Sequence, residues 1–183
     1  MGQPLANAVV TWSVAAAPGC PQPCNTTGNF TSAQSFTDVT GQASTFFVGG
    51  QILQPNAYSQ TVVTGTAFGV SANFTVTTVG TSLTGASFVQ ALVDYPLLGD
   101  IVTGPAGSPG ATPIRVRVIG AGDTSQANQG IPNVAIRLDP ENPAVGLPSI
   151  SCSGNNGVAL TDLSGIALCT PIFGRVLGNA RFK

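Results

Sequence analysis

Residues 4–12 read PLANAVVTW and residues 37–43 read TDVTGQA; residues 130–138 read GIPNVAIRL and residues 161–167 read TDLSGIA. Asn7 matches Asn133 at an offset of 126, and Asp38 and Gly41 match Asp162 and Gly165 at an offset of 124. One supersecondary unit therefore occurs twice, and a repeat of this kind sets the organisation of the chain before any local reading. Inside the first copy, Ala8, Val10, Trp12 and Val14 alternate with Val9, Thr11 and Ser13. In the second, Val134, Ile136 and Leu138 keep the same phase. A period of two puts alternate residues on opposite faces of a strand. Asp38 and Asp162 then begin turns, since an Asp carboxylate can accept from the backbone two residues on. Gly41 and Gly165 close them with a residue that tolerates positive φ. The expected product at each site is a hairpin connection.

Working outward, strands and turn residues fill the rest. In residues 67–77, Phe68, Val70, Ala72, Phe74 and Val76 fall on one face and Gly69, Ser71, Asn73, Thr75 and Thr77 on the other. That pattern predicts a half-buried antiparallel strand. Its apolar face supplies the expected core, with Trp12 buried against Phe68, Phe74 or Val76; a sugar platform is the weaker reading of Trp12. Around 113–119, Ile114, Val116 and Val118 point inward while Arg115 and Arg117 point out. Residues 58–64 and 87–93 are weaker strand candidates. No window carries a helical period with caps, and 23 Gly and 14 Pro punctuate the chain throughout. Short strands between turn signals predict an all-β fold, a sandwich or a barrel. Residues 1–79 are read as one module lacking its first strands and residues 84–183 as one lacking its last, with a linker at Val79–Leu83. Residues 95–111 and 139–150 read as long Pro- and Gly-containing loops.

Composition narrows the function. Hydrophobic residues make up 43% of the chain, enough for a core, while charged residues make up only 7%, against roughly 25% in ordinary soluble domains. Between Met1 and Val93 the one charged side chain is Asp38. The net charge of −1 leaves no basic surface to attract nucleic acid or anionic lipid. No apolar run reaches the roughly 20 residues of a membrane span, and the start shows neither the cationic nor the apolar part of a signal peptide.

The four cysteines are Cys20, Cys24, Cys152 and Cys169. An even count in a low-charge β chain fits an oxidising compartment. The expected pairs are Cys20 with Cys24, closing a small loop, and Cys152 with Cys169, which flank the TDLSG turn and would staple two neighbouring strands. Four reduced thiols are the alternative. A zinc site is disfavoured, because no second close pair matches the CxxxC spacing and no His exists to complete it.

The order of Pro4, Asn7, Val10 and Trp12, then Thr37, Asp38, Gly41 and Ala43, then the alternating strand 67–77, resembles the bacterial Ig-like repeat of invasin- and intimin-type surface proteins. In the second copy the matching residues are Asn133, Ile136, Leu138, Thr161, Asp162, Gly165 and Ala167. The resemblance implies tandem Ig-like Greek-key β-sandwich modules in a secreted or cell-surface bacterial chain. It supplies no catalytic residue.

The residue inventory argues against an enzyme. The chain has no His, which removes Ser–His–Asp and Cys–His nucleophile systems and His-ligated metals. Its single Lys is Lys183, and no phosphate-binding GxxxxGK[ST] loop occurs. Carboxylates remain. Asp139 and Glu141, two apart in a loop, together with Asp123, form a candidate metal site, since oxygen ligands at alternate positions suit calcium. A solvated loop is the competing reading. A calcium role at the module junction is the alternative to turn formation for Asp38 and Asp162. No other cofactor is expected.

The function expected is therefore a non-catalytic structural or adhesive segment, extracellular or on a cell surface, with a protein or glycan ligand that the sequence does not specify. It would stand among tandem modules or form a homo-oligomer. A filament subunit assembling by β-strand exchange is the alternative, and a small hydrolase or binding protein using loops 95–111 and 139–150 is the third reading.

Overall fold

In the computed structural model, which describes residues 3–17, 28–50, 52, 56–81, 87–97, 100–122, 124–141 and 146–183, the regular elements are β-strands and one 3-10 turn at Asn155–Gly157. The protein is all-β with several antiparallel sheets. The chain divides into two units, Met1–Phe88 with Gly122–Ser125, and Val89–Ala121 with Gln126–Lys183.

The strands of the first unit are β1 (Val9–Ala16), β2 (Asn29–Phe30), β3 (Gln34–Phe36), β4 (Phe47–Val48), β5 (Tyr58–Ala67) and β6 (Val70–Val79). Four of them form a sheet in the order β3-β1-β5-β6, while β2 and β4 pair with each other. β5 and β6 are dense in Val and Thr, whose branched side chains suit a pleated surface. They pair over their whole length, from Tyr58 opposite Val79 to Ala67 opposite Val70. Phe68 and Gly69 alone join them, with φ of 51° and 76°. Positive φ at both positions is the backbone of a two-residue turn whose twist matches the strands.

The register settles which side chains share a face. Trp12 lies opposite Gly65, which lies opposite Ala72; Val14 lies opposite Val63, which lies opposite Phe74. Opposed residues project to the same side of a sheet, so Trp12, Val14, Val63 and Phe74 share one. Trp12 is half-buried. Its ring covers Gly65, where a Cβ would stand 2.8 Å from Cζ3. Its Nε1 donates to Ser35 Oγ at 2.9 Å. Its aromatic neighbour is Phe30 at 6.1 Å between centroids, and Phe30 meets Phe47 edge-on at 5.6 Å.

The expected core residues Phe68 and Phe74 are corrected here. Phe68 is 77% exposed because it forms the turn, where strand alternation does not apply. Phe74 holds the expected face, but it sits on the edge strand β6 and is 51% exposed. The first unit buries instead the base of its long hairpin: Ala57, Tyr58, Ser59, Gln60, Thr61 and Val63. The linker expected at Val79–Leu83 does not hold for its first residues either. Val79 ends β6, Gly80 N–H donates to Ala57 C=O at 2.8 Å, and Thr81 bridges Ser87.

The strands of the second unit are β7 (Val89–Tyr95), β8 (Ile114–Gly120), β9 (Ala135–Arg137), β10 (Ile150–Cys152), β11 (Val158–Leu160), β12 (Ile166–Cys169) and β13 (Pro171–Phe173). They form a three-stranded sheet β12-β8-β7 and two ladders, β11-β9 and β10-β13. In β8, Ile114, Val116 and Val118 are buried while Arg115 and Arg117 are exposed, as their alternation predicts. Cys152 and Cys169 form a disulfide with Cα atoms 4.9 Å apart. It links β10 to β12, which belong to separate ladders, rather than two paired neighbours. Cys20 and Cys24 lie outside the described residues.

The two Asp-x-x-Gly turns also differ from expectation. Each closes locally, but the strands around it do not form a hairpin. β3 pairs with β1, β11 with β9, and β12 with β8. The turn residues set the local reversal and leave the choice of strand partner to the rest of the fold.

Candidate functional site

The residues that carry the repeat converge on one hydrogen-bond circuit, built twice. In the first unit β1 and β3 pair as Val9–Phe36, Val10–Ser35 and Thr11–Gln34. In the second, β9 and β11 pair as Ala135–Leu160, Ile136–Ala159 and Arg137–Val158. Every pair in the second ladder is its counterpart in the first, moved by the two offsets seen in the sequence.

Thr37 and Thr161 are the centres of the two circuits. Thr37 Oγ1 donates to Leu5 C=O at 2.6 Å and accepts from Ala8 N–H at 2.9 Å. Thr161 Oγ1 donates to Ile131 C=O at 2.7 Å and accepts from Val134 N–H at 2.8 Å. The backbones exchange bonds as well: Asn7 N–H to Thr37 C=O and Asn133 N–H to Thr161 C=O, at 2.8 and 2.9 Å. The strand must kink to admit the hydroxyl, and Asn7 and Asn133 make the kink at φ of 60° and 57°. Asn adopts that region more readily than most residues. The sequence marked these Asn and Thr residues as matching but did not disclose their role.

The turns are equally alike. Asp38 Oδ1 accepts from the N–H groups of Thr40 and Gln42 at 2.8 and 3.0 Å. Asp162 Oδ1 accepts from Ser164 and Ile166 at the same two distances. Gly41 and Gly165 follow at φ of 77° and 76°. Asp38 also accepts from Thr40 Oγ1, and that bond, with the backbone N–H of Gln42 and of Thr40, holds its carboxyl below the ordinary range. These carboxylates are engaged in shaping turns.

The surroundings of the two circuits differ. Ile131 is 0% exposed and Thr161 3%, because β8 lies alongside: Val118 N–H donates to Gly165 C=O at 2.8 Å, and Ile131 N–H donates to Val118 C=O at 2.9 Å. Leu5, the counterpart of Ile131, is 58% exposed, and Thr37 is only half-buried. On the opposite flank, β5 pairs with β1 through Ser13, Val14 and Ala15. In the second unit the corresponding residues 139–141 pair with 181–183. Asp139 N–H donates to Lys183 C=O at 3.0 Å and Lys183 N–H returns a bond to Asp139 C=O at 2.8 Å.

Of the candidate calcium ligands, Asp139 and Glu141 lie within the described residues. Asp139 accepts from Arg137 Nη2 at 2.8 Å, the backbone of Glu141 bonds to Arg181, and Asp123 lies outside the described residues. Among the described residues no group of three or more His, Cys, Asp or Glu converges. The sequence also missed a charge cluster across β7 and β8. Asp94 accepts from Arg117 at 2.7 Å and stands 3.5 Å from Arg115. The Arg117 hydrogen bond holds the Asp94 carboxyl below its usual range. Such an exposed pair adds little stability, and it spans a strand pairing that spacing alone does not reveal. A hollow of about 480 Å³ beside β11 is lined by Ser153, Gly154, Val158, Ala159, Leu160 and Leu168. Among the described residues no helix is long and apolar enough to cross a membrane.

Compared with protein-family models, with curated proteins and with solved structures, the chain gives no match.

Proposed function

We propose that the chain is a non-catalytic structural or adhesive segment made of tandem Ig-like sandwich modules, carried by a secreted or cell-surface bacterial protein. The observation that carries this reading is the twin circuit: two units repeat one strand pairing, one threonine relay and one Asp-x-x-Gly turn, residue for residue. Repetition of a scaffold, with its matched carboxylates turned to backbone shaping, suits a part that supplies spacing and stiffness. The Cys152–Cys169 link is compatible with an oxidising exterior. Low charge fits a chain whose surface is covered by hydroxyl and amide side chains.

Single-molecule stretching of the whole chain tests the proposal. Two modules of about 90 residues each unfold in two steps, each releasing on the order of 30 nm at roughly 3.5 Å per residue. Reduction lengthens one step by about 6 nm, since the Cys152–Cys169 disulfide hides a loop of 17 residues. A single unfolding step, or a reductant effect on neither step, contradicts the modular reading.

A further inference from the structure

The two circuits differ in one neighbour, and the difference identifies a docking edge. In the second unit β8 lies against β12, with Ile114, Arg115, Val116 and Arg117 opposite Cys169, Leu168, Ala167 and Ile166. Val118 then joins Gly165 and Ile131. Moved by the repeat offsets, these receiving positions become residues 42–45, Gly41 and Leu5. Residues 42–46 are alternately exposed and half-buried, the burial pattern of a strand. Among the described residues no strand pairs with 42–45, and no backbone bond reaches Leu5 N–H or Gly41 C=O. Ala43 and Thr45 are half-buried where their counterparts Ala167 and Cys169 are fully buried.

Edges left open by folded proteins are guarded by charge, proline or bulges. Residues 42–46 read QASTF, with none of the first two. The first unit thus has the receiving half of an interaction whose other half is on view in the second.

We propose that the edge formed by Leu5 and residues 41–45 takes a β-strand of the β8 type from another β module. Such a strand is extended, with branched apolar side chains at alternate positions, and docks antiparallel in the register that β8 holds on β12. This rests on reading the chain as a modular segment. The strand's residue equivalent to Val118 donates to Gly41 C=O and accepts from Leu5 N–H. Its apolar side chains cover Leu5, Thr37, Ala43 and Thr45. Recognition is thereby main-chain hydrogen bonding with side-chain specificity at alternate positions.

The test uses the full chain and a fluorescent synthetic peptide of residues 112–121, TPIRVRVIGA. Anisotropy shows saturable binding at one site, and hydrogen exchange slows at Gly41–Thr45. A peptide carrying Val118→Pro loses the central donor and binds at least about tenfold more weakly, the worth of one good hydrogen bond. The chain variant Leu5→Pro loses the matching donor and weakens binding to a similar extent, while its Trp12 unfolding transition stays in place. Absence of saturable binding overturns the proposal. So does binding unaffected by either proline, or protection confined to β12, which would mean exchange with the resident β8. Stretching distinguishes the two readings: two unfolding steps without peptide binding remove the docking edge and leave the modular reading, whereas a single step removes the modular reading itself.

Discussion

Thr161→Val, with Thr37→Val as its internal control, measures what the threonine relay contributes. Valine keeps the shape and deletes the hydroxyl, so Ile131 C=O and Val134 N–H lose the bonds at 2.7 and 2.8 Å. A buried polar group left unpaired costs about 1–3 kcal/mol, well above the net worth of a solvated bond. Ile131 is wholly buried and the carbonyl bond lies inside, while Val134 N–H is partly accessible. The sum for Thr161→Val is therefore about 2–4 kcal/mol. Thr37→Val removes the same two bonds beside an exposed Leu5. Water substitutes there, and the loss is about 1 kcal/mol or less. Urea unfolding separates the two. Trp12, the one tryptophan of the chain, reports the first unit by fluorescence, and far-ultraviolet circular dichroism reports both. Thr161→Val lowers the midpoint of the transition that tryptophan does not follow. Equal shifts for the two variants would refute the argument that covering by β8 sets the cost.

Gly165→Ala destabilises the second unit far more than Gly41→Ala destabilises the first. Both need positive φ, but a Cβ at 165 meets Val118 O and comes 2.6 Å from Gly130 Cα, while at 41 its nearest neighbour is Pro4 Cβ at 3.1 Å; paired thermal melts check it. Replacing Cys152 and Cys169 by Ser costs the second unit about 3 kcal/mol through a loop of 17 residues, and the Trp12 transition does not move. In the folded state the hydrogen bonds from Thr40 Oγ1 and from the N–H groups of Gln42 and Thr40 hold the Asp38 carboxyl below its ordinary value. Its contribution is thus present above that value and is lost as pH falls through the folded one. Acid weakens the first unit, and Asp38→Asn flattens that slope in Trp12-monitored unfolding.

What the sequence discloses is what local backbone geometry demands. Positive φ at Asn7, Asn133, Gly41 and Gly165 restricts those positions to few residue types, so the repeat shows through unrelated side chains between them. The inward set Ile114, Val116 and Val118 is legible because both faces of β8 follow one alternation. The partner of each strand is a different matter. The TDVTG and TDLSG turns specify a reversal, and nothing in them says that β11 and β12 go to different ladders. Phe68 and Phe74 are more exposed than alternation predicts, for related reasons. Alternation does not mark where a turn interrupts it, and an edge position is a property of the assembled sheet. The Asp94–Arg117 contact depends on the β7–β8 register, which no spacing encodes.

The turn at Phe68–Gly69 has a consequence for how the first unit folds. A bulky aromatic residue at φ of 51° is a poor local choice, so the tip does not nucleate the hairpin. The buried stretch Tyr58–Thr61, at the far end of the ladder from that tip, holds the register instead. The hairpin then closes from its open end toward its turn, and its rate is set by the entropy of bringing together residues some 20 apart in the chain. A tip that arrives last, with nothing within 4 Å of a Cβ at Gly69, is the place where an inserted sequence would leave both the kinetics and the register of this unit undisturbed.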